Sequence, residues 1–145
     1  MSKNLYVVPH DFTKVGAKAL EYGIHLGKFV DAEIQLLHVV ADKSAVLAAT
    51  KKLDEIIAST EVPNGVVLSK NVHVGSIFED IGRIATKQHA QLIIMGTHGE
   101  KGMQKLFGSY AMKVITSCDI PFLVVQSNTV IKHINKIVVP IDLTK

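Results

Sequence analysis

The sequence predicts an α/β fold: a doubly wound sheet of five parallel strands with helices on both faces. Three observations carry this reading. Short, unbroken apolar runs recur along the 145 residues, as expected of strands buried on both faces. Segments with a 3.6-residue apolar period lie between them. Strand and helix therefore alternate through the chain, a pattern that calls for right-handed crossovers and a covered parallel sheet.

Leu5 to Pro9 is the first apolar run, closed by Pro and Asp. Thr13 to about Phe29 follows as a helix, with Leu20, Ile24 and Gly27 on one face and Lys14, Lys18, Glu21 and Lys28 facing water. Glu33 to Val40 (EIQLLHVV) is the second strand, and Ser44 to Ser59 a helix with Ser44 as its N-cap. Val66 to Val74 is a third, more exposed strand. Ser76-Ile77-Phe78-Glu79 fits a capping box at the start of a helix striped by Ile77, Ile81, Ile84 and Ala85. Gln91 to Met95 (QLIIM) is the fourth strand, Ser109 to about Ser117 a helix, and Pro121 to Gln126 (PFLVVQ) the fifth strand.

Composition narrows the function. Hydrophobic residues make up 48% and charged ones 20%, the balance of an ordered globular protein. The net charge of +3 comes from scattered lysines, so neither a nucleic-acid nor a membrane-surface role is indicated. No apolar run approaches membrane-spanning length, the N-terminus lacks a signal-peptide core, and one cysteine cannot form an internal disulfide. These features point to the cytoplasm. Seven histidines are present, but none stands at a ligand spacing with a Cys or carboxylate, so no structural metal is expected.

In doubly wound sheets, ligands bind beyond the carboxyl ends of the strands, where strand order reverses. Polar or glycine-rich chemistry follows the first strand (Pro9-His10-Asp11), the second (His38-Val39-Val40) and the fourth. The last stretch, Gly96 to Ile115, passes through three glycines and delivers Gly108-Ser109 to a helix start. Glycine permits close backbone approach, and free amides at a helix start suit phosphate. Packing alone also produces such loops. Asp11 reads either as a ligand contact or as a helix cap, His38 as a core histidine, and Ser109 as a phosphate contact or a cap.

Pro9, Asp11 and Phe12, the Leu36 to Val39 strand, Val72 to Gly75, IIMGTHG (Ile93 to Gly99), Gly108-Ser109 and the closing PFLVVQ strand together resemble a universal stress protein domain. The resemblance covers Leu5 to Gln126. The ATP-binding branch of that family carries a G-x2-G-x9-G-Ser/Thr loop. Here eight residues, not nine, separate Gly99 from Gly108. The resemblance implies an adenine nucleotide, ATP with or without Mg2+. Its binding residues would be Pro9, His10, Asp11, Val39, Met95, Gly96, His98, Gly99, Gly108, Ser109 and Tyr110. No nucleophile–base pair, paired carboxylates or Walker-type magnesium ligand is visible, so no catalytic residue is assigned and turnover would be slow at most. The reading is a nucleotide-binding stress or regulatory module. Its alternatives are a non-binding domain acting through dimerisation or partners, and an enzyme using ATP as substrate.

The chain closes with KIVVPIDLTK, which matches LYVVPHDFTK (Leu5 to Lys14) at six of ten positions. The organisation expected is a domain over 1–127, a linker over 128–135, and the first strand of a truncated second repeat over 136–145. The fifth strand should be an apolar sheet edge. Such edges invite pairing, so a homodimer through Pro121, Phe122, Leu123, Val124, Val125 and Gln126 is expected.

Overall fold

Val7 and Val8 are adjacent and point to opposite faces of one strand, yet both are fully buried. Only a strand covered on both sides permits this. The computed structural model, which describes residues 3–97 and 111–144, shows how the cover is built. Five parallel strands, β1 (Asn4–Pro9), β2 (Ala32–Val40), β3 (Val67–Val74), β4 (Leu92–Thr97) and β5 (Phe122–Gln126), stand in the order β3-β2-β1-β4-β5. Among the described residues the α-helices are α1 (Lys14–Gly27), α2 (Val46–Ser59), α3 (Ile77–Lys87) and α4 (Ala111–Thr116). Ala19 and Leu20 of α1 and Leu53 of α2 pack with Val8, Ile34, Leu36 and Ile94 on one face. Ile81, Ile84 and Ala85 of α3 and Val114 of α4 pack with Val7, Leu37 and Ile93 on the other. Each fully buried Val, Leu or Ile side chain contributes about 1.5–3 kcal/mol. The α/β class and the five-stranded order of elements match the sequence expectation, with strand ends moved by a residue or two.

Two helix starts differ from the sequence reading. Ser44 is not an N-cap. Asp42 accepts a hydrogen bond from the Ser44 amide at 2.7 Å and caps a 3-10 turn over Lys43–Ala45; α2 then starts at Val46 with no side-chain cap. A carboxylate two residues upstream is the stronger acceptor and takes the role. The capping box at Ser76 and Glu79 does not form either. Ser76 holds the N-cap position, but its side chain makes no capping bond. Asp80 reaches back instead, accepting from the Ser76 amide at 2.8 Å, while Arg83 Nε donates to the same carboxylate at 3.1 Å and His73 Nε2 lies 3.5 Å away. The Arg83 bond, then the Ser76 amide, hold Asp80 below the usual carboxylate range.

Residues 129–142 carry no helix or strand. Among the described residues of the stretch expected to open a second repeat, 136–144 are not in a strand. Among the described residues no helix is long and apolar enough to cross a membrane.

Candidate functional site

The strand order turns about β1: the chain moves to β2 and β3 on one side, then returns to β4 and β5 on the other. The crevice this creates lies beyond the carboxyl ends of β1 and β4. The segment leaving β1 forms its floor. The His10 amide donates to the Leu37 carbonyl at 2.9 Å, carrying the β1–β2 pairing one step past the strand. Phe12 then takes a left-handed conformation, φ 64°, uncommon for a bulky side chain. The bend lays the Phe12 ring over His38, with centroids 4.3 Å apart, and Lys52 Nζ sits 5.1 Å from the Phe12 centroid.

The same bend fixes the protons on two histidines. The Phe12 amide donates to His10 Nδ1 at 3.0 Å, so the neutral His10 ring carries its proton on Nε2. His38 Nδ1 lies 2.7 Å from the His10 carbonyl oxygen. A carbonyl only accepts, so His38 Nδ1 carries the hydrogen. His38 is therefore half-buried and bonded, close to the core histidine read from sequence. His10 is 5% exposed, and its Nε2 has no partner among the described residues. Burial pushes the His10 pKa below its ordinary 6.5; the Asp11 carboxylate opposes this and His38 adds to it. The result is a neutral, desolvated N–H donor at the strand end, the kind of group whose hydrogen bond has most to gain from an acceptor.

Asp11 is exposed. Its Oδ1 accepts from the Thr13 amide at 3.1 Å and from the Thr13 hydroxyl. Thr13, the N-cap of α1, accepts in turn from the Gly16 amide. Asp11 is therefore not itself the cap of α1: it bonds Thr13, which is, and it lines the mouth of the cleft. Two glycines let the walls close. A Cβ on Gly16 would lie 3.0 Å from Asp11 Oδ1 and 3.2 Å from the His10 ring. A Cβ on Gly96 would lie 2.3 Å from Val15 Cγ1 and 2.5 Å from the Val15 carbonyl oxygen. Gly96 is therefore required by the packing of β4 on the first turn of α1, whatever else it touches.

These elements enclose a cleft of about 230 Å3. Pro9, His10, Asp11, Val39, Met95 and Gly96, six of the eleven residues singled out in the sequence, line it together. Gly16, His38, Ile77 and Ile81 join them. Ile77 and Ile81 read in sequence only as the apolar stripe of α3. The signal that separates Ile77 is its position at the first turn, where it is 48% exposed rather than packed in the core. His98, Gly99, Gly108, Ser109 and Tyr110 lie outside the described residues. Among the described residues, no group of three or more His, Cys, Asp or Glu is placed to hold a metal ion.

A larger hollow, about 560 Å3, opens between α1 and α2 over Leu20, Ile24 and Ile56, and His10 is the wall it shares with the cleft. The cleft is the candidate site because it lies at the reversal of strand order and gathers groups from the ends of three strands.

Comparison with known proteins agrees with this architecture. The model of the universal stress protein family matches residues 6–126. The curated universal stress protein MJ0531 of Methanocaldococcus jannaschii is 31% identical over 143 residues, 86% of this chain and 84% of its own length. Among solved structures, that of hypothetical protein MJ0577 aligns with a TM-score of 0.68 at 26% identity, over 87% of this chain and 97% of the other. A universal stress protein solved in complex with cAMP aligns with a TM-score of 0.68 at 15% identity, over 88% and 100%; at that identity the likeness is one of fold. With a family match running from β1 to the end of β5, and with the five-stranded parallel sheet that such a match requires, this chain belongs to the universal stress protein family.

Proposed function

We propose that this chain is an adenine-nucleotide-binding universal stress protein domain, acting as a regulatory module and taking ATP, with or without Mg2+. The observation that carries the reading is the convergence of Pro9, His10, Asp11, Val39, Met95 and Gly96 on one cleft at the reversal of strand order. The apolar wall of Val39, Met95, Ile77 and Ile81 suits the face of a base. The cleft, at about 230 Å3, is smaller than the roughly 300–1,000 Å3 of ordinary small-molecule sites. It fits the base and ribose, leaving the phosphates to the Gly96-to-Ser109 stretch, where Gly99, Gly108, Ser109 and Tyr110 are their expected contacts. The cAMP complex of a structural neighbour supports an adenine ligand for a domain of this fold.

Calorimetric titration of the purified chain with Mg-ATP tests the reading. A micromolar dissociation constant, about −8 kcal/mol, is expected, with weakening by Asp11→Ala and by Gly108→Val. Absence of heat, of thermal shift and of co-purified nucleotide refutes it in favour of a non-binding domain. Turnover well above background and lost in Asp11→Ala would favour an enzyme.

For assembly we propose a homodimer through the β5 edge. Phe122, Leu123 and Val124 remain only half-buried there, and among the described residues β5 pairs with β4 alone.

A further inference from the structure

Asp80 does not line the cleft, yet the turn it closes does. The first turn of α3 brings Ile77 to the cleft and, four residues on, Ile81. Ser76 stands at the N-cap of that turn, but its side chain makes no capping bond. Asp80 ties the turn to Ser76 twice. Its amide donates to the Ser76 carbonyl at 2.9 Å, and its Oδ2 accepts from the Ser76 amide at 2.8 Å. Ile77 lies between the two anchored residues. Upstream, the Gly75 amide donates to the Val40 carbonyl at 2.9 Å, which joins the same turn to the end of β2, next to Val39 of the cleft. Arg83 donates to Asp80 Oδ1 through Nε at 3.1 Å and through Nη2, and His73 Nε2 stands 3.5 Å from Oδ2. These contacts hold the carboxylate, whose side chain is 13% exposed, in one place.

Gly75 shows how closely that place is fitted. A Cβ there would collide with Asp80 Oδ2 and stand 3.0 Å from Asp80 Cγ, so the missing side chain is what lets the carboxylate reach Ser76. Ile81 is held by the core at 1% exposure, whereas Ile77 is 48% exposed and, among the described residues, joins neither core cluster. A half-exposed apolar side chain at a cleft mouth adds most to affinity when its backbone is already fixed, because ordering it on binding costs free energy. We propose that Asp80 is a positioning residue of the nucleotide site: through the Ser76 amide it presets Ile77 as the wall against which the base packs. The inference rests on the adenine-nucleotide reading of the cleft and adds the residue that orders its wall. It acts on the base, so adenosine, AMP and ATP share its effect.

Calorimetric titration of the whole chain with ATP, AMP and adenosine tests this. Wild type is compared with Asp80→Ala, Gly75→Ala, the double variant and Asp80→Asn, each checked by far-UV circular dichroism at the titration temperature. Asp80→Ala is expected to weaken all three ligands by the same factor, about tenfold. Gly75→Ala should do the same by evicting the carboxylate. The double variant should bind no more weakly than Asp80→Ala alone, because no carboxylate is left to displace. Asp80→Asn keeps an oxygen for the Ser76 amide and loses the Arg83 pairing, so it should melt lower than wild type yet bind more tightly than Asp80→Ala. Affinity that follows Tm across the four variants, or an Asp80→Ala chain that binds as wild type does, overturns the inference and leaves the nucleotide reading standing. If Asp80→Ala does not fold, Gly75→Ala against Asp80→Asn makes the same comparison, and equal affinities there overturn the inference. A wild type that binds none of the three ligands overturns both.

Discussion

Replacing Gly96 with alanine should unsettle the site by pushing β4 and α1 apart. The added methyl would stand 2.3 Å from Val15 Cγ1, 2.5 Å from the Val15 carbonyl oxygen and 2.8 Å from its carbonyl carbon. Two of these three atoms belong to the backbone of the first turn of α1, so no rotamer change relieves the contact. Overpacking in a well-packed core costs about 1–3 kcal/mol, and a backbone clash belongs at the upper end, about 3 kcal/mol. For a chain of this size each kcal/mol lowers Tm by about 2–4 °C, giving a fall of about 6–12 °C. Thermal unfolding followed by circular dichroism reads it. Val15→Ala in the same chain should not rescue the variant, because the carbonyl contact survives the truncation. A Gly96→Ala chain that melts within a degree of wild type would refute the packing account. It would return Gly96 to a role set by ligand alone.

Other consequences follow from particular contacts. The depressed His10 pKa means the unfolded chain binds a proton that the folded chain refuses. Stability should then decline as pH falls below about 6.5, and His10→Asn, which keeps an acceptor for the Phe12 amide, should flatten the Tm-against-pH slope in that window. Asp80 shares the preference for the deprotonated form, there a charged carboxylate rather than a neutral ring, and has the same direction of effect lower down. Its folded pKa is depressed, so its contribution is present above the ordinary carboxylate range and lost as pH falls through it. Asp80→Asn should lower Tm at pH 7 and converge with wild type in strong acid. Leu53, fully buried on the inner face of α2, should cost about 2–5 kcal/mol on truncation to alanine, readable by urea denaturation.

The sheet was legible because its signal is local. Val7-Val8, Leu36-Leu37 and Ile93-Ile94 are adjacent apolar pairs, and a pair buried on opposite faces leaves no other arrangement in a parallel sheet. Topology pointed to the strand ends, Pro9-His10-Asp11 among them, and the family resemblance added Val39 and Met95; the structure brings these residues to one cleft. What the sequence hid was competition between near-equivalent groups. Asp42 and Ser44 can each cap a helix, as can Glu79 and Asp80 reach back to Ser76; Asp80 prevails with Arg83 and His73 beside it. The part played by Gly16 and Ile77 depends on how α1 and α3 lean toward the strand ends, and that angle is set by packing across the whole core. The hollow between α1 and α2 is hidden for the same reason.

The central claim is the location of the nucleotide, and amide chemical-shift mapping by NMR tests it most directly. Titration with Mg-ATP and with AMP should move the amides of His10, Asp11, Gly16, Val39, Ile81, Met95 and Gly96, while those of Leu20, Ile24 and Ile56 in the neighbouring hollow stay in place. Shifts confined to the α1–α2 hollow, or no shifts at millimolar nucleotide, would contradict the account.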